Sequence, residues 1–329
     1  MISGADRPWP HGLSPGIIFL VNNMYKYTEQ SDHPVPCIDA VILNEKDEIL
    51  LVKRDVSPFK GFWTLVGGRV EVGDNNIEHT VLREVKEETG LDVEIKNLID
   101  IFADPSMNPP PDPRFFVVQV AFEVKIKKGE LKINPEVSDF KWLTLEKLAE
   151  HPLAFNHGLI ALTYLKKKKE GQLIPSNRRI YSEYFNKDYT YIVQNEYPRF
   201  ATNAIILNEK KEILLARRIQ PPYVGFWDFP GGHIYVGETI EDCLKREIRE
   251  ELGVESEMGV LFQVYSDRAK HPKAADVVSF YFAKIKSHNF IKNVEMDDFD
   301  YFPLDDLPEK IAFHNEYPLA DIKDYIYKK

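Results

Sequence analysis

The stretch Gly232–Val254, GHIYVGETIEDCLKREIREELGV, decides the fold. It reads as a turn feeding a helix. Thr239 suits an N-cap, Glu241 and Asp242 sit in the first turn where the helix dipole favours acids, and Gly253 stops the helix. Ile240, Leu244 and Ile248 recur at helical spacing and form the stripe expected to be buried. Glu247, Glu250 and Glu251 fall at i, i+3 and i+4, which gathers three carboxylates on another face. Like charges so placed repel, and the helix needs compensation. A solvated acidic face with Arg246 and Arg249 as partners is one form of compensation. A hard divalent cation, which takes oxygen ligands, is the other.

The text around this helix occurs twice. Leu43-Asn44-Glu45-Lys46 returns as Leu207-Asn208-Glu209-Lys210, an offset of 164 residues. The same offset carries Lys53-Arg54 onto Arg217-Arg218, Gly61-Phe62-Trp63 onto Gly225-Phe226-Trp227, and Gly67-Gly68 onto Gly231-Gly232. Two copies of one domain follow. In the first copy Gly68, Gly73 and Asp74 align with Gly232, Gly237 and Glu238, whereas Arg83 aligns with Arg246 at an offset of 163, so one extra residue lies between Asp74 and Arg83. The helix end, Arg83-Glu84-Val85-Lys86-Glu87-Glu88-Thr89-Gly90-Leu91, is intact. Asp74 shortens the carboxylate arm, and Val66 stands where the second copy has Pro230.

Residues 232–254 match G-x5-E-x7-R-E-U-x-E-E-x-G-U at every specified position, U being a bulky aliphatic residue. At ordinary residue usage a chance match is on the order of 10⁻⁹ per starting point. The chain therefore resembles the Nudix hydrolases, whose box this is. Residues 68–91 carry an altered version.

The resemblance implies an α/β (α+β) architecture of two Nudix folds, each a mixed β-sheet sandwiched between α-helices. Residues 1–36, with five prolines and no clear period, read as an N-terminal arm, and the repeat divides the rest into a first domain over 37–172 and a second over 173–329. The resemblance also implies a hydrolase of phosphoric anhydride bonds that uses Mg²⁺, with Mn²⁺ as the alternative. Glu247, Glu250, Glu251 and Gly231 in one copy, and Glu84, Glu87, Glu88 and Gly67 in the other, would face the metal. Arg246 and Arg83 would orient the glutamates through charge-assisted hydrogen bonds.

For substrate, Arg218 and Arg54 end their strands near the box and suit phosphate contact as well as solvation. Trp227 and Trp63 could stack a base, although an aromatic at a strand entry is as readily a core residue. Asp104-Pro105 and Asp112-Pro113-Arg114 resemble a loop of some ADP-ribose pyrophosphatases, and Asp267-Arg268 is a related but different loop in the second copy. His157 and His314, in similar helical tails, read as structural residues. The general base is not assigned. With its complete box the second copy is the stronger candidate for turnover, and the first keeps its glutamate trio.

Composition narrows the partners. The chain has 329 residues, enough for about two domains, and 43% of them are hydrophobic. A net charge of −10 argues against duplex nucleic acid and against an RNA-directed decapping enzyme. A small nucleotide is the expected ligand, with a homodimer or intramolecular pairing of the two domains as the assembly. Cys37 and Cys243 are too few for a disulfide framework and fit a reduced cytoplasmic setting. The apolar run Ile17–Val21 is too short for a membrane span. The rival from another class is a nucleotide-binding sensor with one degenerate domain, which the altered spacing in the first copy favours. Within the copies, the basic run at 166–169 reads as a solvated helix end, Gly171–Pro175 as the linker, and Ile180–Glu196 as a pairing strand or interdomain surface.

Overall fold

The computed structural model describes residues 33–71, 73–74, 76–104, 112, 114–148, 151–176, 198–266 and 276–327. Most of the arm and the 180–196 segment lie outside them. The first copy begins with β1 (Val35–Leu43), β2 (Ile49–Arg54), β3 (Trp63–Thr64) and β4 (Val66–Arg69). Then come α1 (Ile77–Thr89), β5 (Asp92–Phe102), β6 (Val117–Lys128), β7 (Val137–Leu143), the short α2 (Leu145–Leu148), α3 (His157–Glu170) and β8 (Ile174–Pro175). The second copy runs β9 (Arg199–Ile205), β10 (Ile213–Arg218), β11 (Trp227–Asp228), β12 (Gly231–His233), α4 (Ile240–Leu252), β13 (Ser256–Tyr265), β14 (Asp276–Ile285), β15 (Met296–Phe302) and α5 (Glu316–Tyr327).

The repeated text has a local physical cause. Asn44 Oδ1 accepts from the amides of Lys46 and Glu48 at 2.8 and 3.0 Å, while its Nδ2 donates to Glu48. Asn208 does the same with Lys210 and Glu212. An asparagine that satisfies its own turn leaves the chain free to reverse direction between β1 and β2, or between β9 and β10.

In both copies the sheet is mixed. Beside β1 runs β6 in parallel, with β5 antiparallel on its outer side; β4 pairs antiparallel with β1, and β7 with β2. The second copy repeats this order as β12-β9-β14-β13 and β11-β10-β15. β1 reads VPCIDAVIL, nearly continuous in apolar residues, because both faces are covered. Ile38, Ala40 and Ile42 lie in one core with Ile77, Val81 and Val85 of α1. Val41 and Leu43 lie in another with Ile160, Ala161 and Tyr164 of α3. Each copy is thus a sheet between helices, as the sequence implied. In the second copy Ile205, Leu215, Leu319 and Ile322 form the corresponding α5-side core.

The copies touch. One buried cluster contains the box-helix side of both, including Val81 and Leu244. The amide of Ile77, the first residue of α1, donates to Ser266 Oγ at 2.6 Å, and Gln263 Nε2 donates to the carbonyl of Pro175 at 3.4 Å. Leu98 and Asn97 of β5 pair with Ile174 and Pro175, so the segment read as linker adds a strand to the first copy's sheet. The basic run also differs from a freely solvated helix end: Lys167 donates to the carbonyl of Ile99 and pairs with Asp100, and Lys168 pairs with Asp47.

Candidate active site

Thr239 accepts from the amide of Asp242, and Gly253 closes α4 in the left-handed conformation at φ 73°. Ile240, Leu244 and Ile248 are buried. In α1, Asn76 is the N-cap and Gly90 the closing residue. Both box helices are 13 residues long. One residue lies between Asp74 and its cap Asn76 and none between Glu238 and Thr239, which places the extra residue of the first copy in that lead-in and leaves the helix unchanged.

The central arginine makes the same fork in each copy. Arg246 Nε and Nη2 donate to the two carboxylate oxygens of Glu238 at 2.7 and 3.0 Å; Nη1 donates to Glu247 and Glu250 at 2.6 and 3.1 Å. Arg83 Nε and Nη2 reach both oxygens of Asp74 at 3.0 Å, and Nη1 reaches Glu84 and Glu87 at 2.9 and 3.1 Å. The shorter Asp arm is offset by the longer lead-in. Each arginine also donates to a backbone carbonyl of the strand ahead, that of Arg69 or His233. This bidentate geometry holds the guanidinium plane fixed. The match extends to exposure, with Glu84 and Glu247 side chains 14% and 12% exposed.

Electrostatics divide the acids into two kinds. Burial alone would raise Asp74, but the Arg83 fork, the Glu71 amide and the Thr80 hydroxyl bring its pKa down to about 2. The Arg246 fork likewise overcomes burial and lowers Glu238. Burial pushes Glu84 up to about 7 despite Arg83, and raises Glu247 despite Arg246. Glu88 and Glu251 are raised well above the usual carboxylate range by burial, with the charge of the neighbouring box glutamate adding to it.

Among the described residues no group of three His, Cys, Asp or Glu side chains is gathered to hold a metal ion. The carboxylates of each box are divided between two partners. Glu84 and Glu87 go to Arg83, and Glu88 accepts from the amide of Gly67. Glu251 accepts from the amide of Gly231 at 2.9 Å. Gly67 and Gly231 thus contribute their N–H groups as the structure stands. The donor set nonetheless suits a hard cation: it is made of carboxylate oxygens, and Glu88 Oε2 is buried without a hydrogen-bond partner. Gly68 and Gly232 give these carboxylates room, since a methyl group on either would run into Glu84 or Glu247.

In the first copy the box helix lines a cavity of about 700 Å³, with Arg54, Asp39, Asp112, Arg114, Phe155 and His157 on its other walls. Arg54 Nε donates to the carbonyl of Pro58 at 2.9 Å, and its guanidinium lies 5.0 Å from the centre of the Phe155 ring. Arg114 folds onto Asp112 at 2.8 Å. His157 Nδ1 accepts from the amide of Leu65 at 3.0 Å and lies 2.6 Å from Thr64 Oγ1; its Nε2 is 3.0 Å from Asp39 Oδ1. His157 is thus held from two sides, and its partner Asp39 lies 118 positions away on β1.

Trp63 is not among the residues that line the first copy's cavity. Strand alternation turns Thr64 to the cavity and Trp63 the other way, where Lys141 sits 4.4 Å from its ring centre and the α3-side core packs against it. Trp227 stacks edge-on with Phe302 at 4.8 Å in the α5-side core. Asp104 is described but lies off the cavity lining. Asp267, Arg268 and the 105–111 loop are outside the described residues.

Sequence reading also missed a matched pair of asparagines. Asn134 Nδ2 donates to the carbonyls of Glu87 and Glu88 at 3.1 and 2.7 Å, and Asn293 Nδ2 to those of Glu250 and Glu251 at 3.1 and 2.7 Å. Each ties down the last turn of a box helix. The repeated Asn-x-Glu, 134–136 and 293–295, was the available signal.

The NUDIX domain family model matches residues 33–163 and 197–322, well over half of the chain. An ADP-ribose pyrophosphatase of Methanocaldococcus jannaschii is 39% identical over 137 residues, covering 41% of this chain and 76% of that protein. A NAD-capped RNA hydrolase, NudC of Pseudomonas aeruginosa, is 32% identical over 116 residues, covering 35% of this chain but only 40% of its own length. The solved MutT NUDIX hydrolase of Burkholderia pseudomallei superposes with a TM-score of 0.36 at 29% identity, over 39% of this chain and 99% of that one. No helix among the described residues is long and apolar enough to cross a membrane. The repeat in the sequence is thus a repeat of one domain type, and the chain belongs to the NUDIX domain family of hydrolases.

Proposed function

We propose that the chain is a Mg²⁺-dependent pyrophosphohydrolase, with Mn²⁺ as the alternative ion. It cleaves the diphosphate linkage of a nucleoside diphosphate derivative to a nucleoside monophosphate and a phosphorylated product. The substrate is ADP-ribose, another nucleoside diphosphate sugar, or a nucleoside triphosphate. The name of the Methanocaldococcus relative puts ADP-ribose first. The observation that carries the proposal is the arginine fork, made alike in both copies on differently spaced boxes.

A diphosphate resists water because its phosphorus is shielded by negative oxygens. A bound divalent cation withdraws that charge and lowers the pKa of water beside it. Glu84, Glu87 and Glu88, or Glu247, Glu250 and Glu251, would hold the ion. Arg83 and Arg246 keep the first glutamate of each set in place, and the amides of Gly67 and Gly231 hold the last. In the first copy Arg54 and Arg114 line the cavity, where they screen phosphate charge, and Phe155 offers an apolar face. A reduced, cytoplasmic setting suits the free Cys37 and the buried Cys243.

The test is a panel of ADP-ribose, other nucleoside diphosphate sugars, dinucleoside polyphosphates and nucleoside triphosphates. Each is incubated with Mg²⁺, and products are coupled to a phosphatase. Cleavage of one class that disappears with EDTA is the expected result. No cleavage of any class, with thermal stabilisation by one compound, would replace this reading with that of a nucleotide sensor.

A further inference from the structure

The two copies hold their strand-end arginines alike and then treat them differently. Arg54 Nε donates to Pro58 O at 2.9 Å, and Arg218 Nε to Pro222 O at 3.1 Å. Their guanidinium groups lie 5.0 and 4.9 Å from the ring centres of Phe155 and Phe313. The adjoining two-residue strand ends in Thr64 in the first copy, where it lines the cavity with Arg54, and in Asp228 in the second. Asp228 Oδ2 accepts from Arg218 Nη1 at 3.1 Å, and the pair is largely buried, 17% and 8% exposed. Its other oxygen accepts from Asn315 Nδ2 and from the Phe229 amide.

In the first copy the negative charge has moved. Asp39 stands where the second copy has Asn203, and His157 where it has Asn315, so the acid of the wall is held by a histidine and not by the arginine. Arg54 has no ion pair among the described residues, is partly buried, and lines the cavity with Glu84 and Glu88. A half-buried guanidinium with no carboxylate on it binds anions; one already paired with a buried carboxylate does so only by breaking that pair.

We infer that Asp228 closes the anion position of the second copy and Thr64 leaves it open in the first. A diphosphate-bearing ligand therefore binds the first copy, through Arg54, more tightly than the second. This rests on the reading that the sites take nucleoside diphosphate derivatives. It adds that the two sites differ in affinity for the diphosphate, and it names the residue pair that sets the difference.

The experiment is calorimetric titration of the full chain, with Mg²⁺, using ADP whose bridging oxygen is replaced by methylene. The expected wild-type result is one tight and one weak site. Thr64→Asp and, separately, Arg54→Gln weaken the tight site by about tenfold or more, the usual worth of a charge-assisted hydrogen bond. Asp228→Thr tightens the weak site. Should Thr64→Asp lower the melting temperature, Arg54→Gln carries that arm, since it leaves the Thr64–His157 contact intact. Two equal wild-type sites would overturn the inference, as would unchanged affinities in Arg54→Gln or in Asp228→Thr. The probe resists cleavage at the diphosphate, so the outcomes separate. Unequal binding without turnover of any natural compound defeats the hydrolase reading alone. Turnover with equal binding defeats this inference alone.

Discussion

The first copy departs from the box in spacing and in one carboxylate, yet its arginine fork has partners corresponding to those of the second, at 3.0 and 3.0 Å against 2.7 and 3.0 Å. The wall opposite the box shows no such economy: Asp39, Thr64 and His157 in one copy become Asn203, Asp228 and Asn315 in the other. The fork is fixed by what a guanidinium and a carboxylate require of each other, so a lengthened loop and a shortened arm arrive at one geometry. The wall answers only to burial and charge balance, and several solutions satisfy those.

The most severe way to break the comparison is to disable the copies one at a time. Glu88→Gln and Glu251→Gln each remove a buried carboxylate from one box. Together they should lower turnover by roughly a thousandfold, the several kcal/mol that metal-assisted charge stabilisation provides. The single variants, assayed with the best compound of the panel, apportion activity between the copies. Unchanged turnover in the double variant would remove the box helices from the chemistry.

A smaller effect concerns pH. Glu84, raised to about 7 by burial, is largely protonated in the metal-free chain at pH 6 and ionised at pH 8. Metal binding should therefore release more protons at pH 6 than at pH 8, Glu84 accounting for the difference, and affinity should fall as pH falls. Titration in buffers of differing ionisation heat measures the release. Stability runs the opposite way without metal. A carboxyl whose folded pKa lies above its unfolded one favours folding at low pH and loses that contribution as pH rises from about 4.5 to 7. The metal-free melting temperature should fall across that window from this group, and Mg²⁺ should flatten the fall.

The smallest expected effect sharpens the likeness of the copies. Asn134→Ala and Asn293→Ala each take a donor from two carbonyls at the end of a box helix. Each should cost about 1 kcal/mol, read as a drop of a few degrees at most in the melting curve. A much larger loss at one site than the other would show that the helix ends are not equivalent.

What the sequence revealed and what it hid follow from distance along the chain. The caps at Thr239 and Gly253, the buried stripe and the fork all lie within one turn-helix unit, where spacing alone dictates which side chains meet. The extra residue before α1 was countable for the same reason. The wall needed three elements, with Thr64 and His157 93 positions apart, and no local period links them. Trp63 beside Thr64 shows the limit at its narrowest, since one step along a strand separates the core from the cavity and the sequence does not say which face is which. Spacing put the box glutamates on one face, but it did not show that the arginine of the same helix takes the first two and a strand amide the third.

The hydroxyl of Ser266 on the first backbone N–H of α1 gives the second copy a share in the first one's architecture. The opening N–H groups of any helix lack partners in their own coil. Here one of them is satisfied from the neighbouring domain, at the very lead-in where the first copy's spacing is irregular. Cut apart at the linker, the first half would keep its box, its fork and its cavity but would surrender this amide to water. The duplication has thus gone beyond two beads on a string: one domain now supplies part of the scaffolding for its twin.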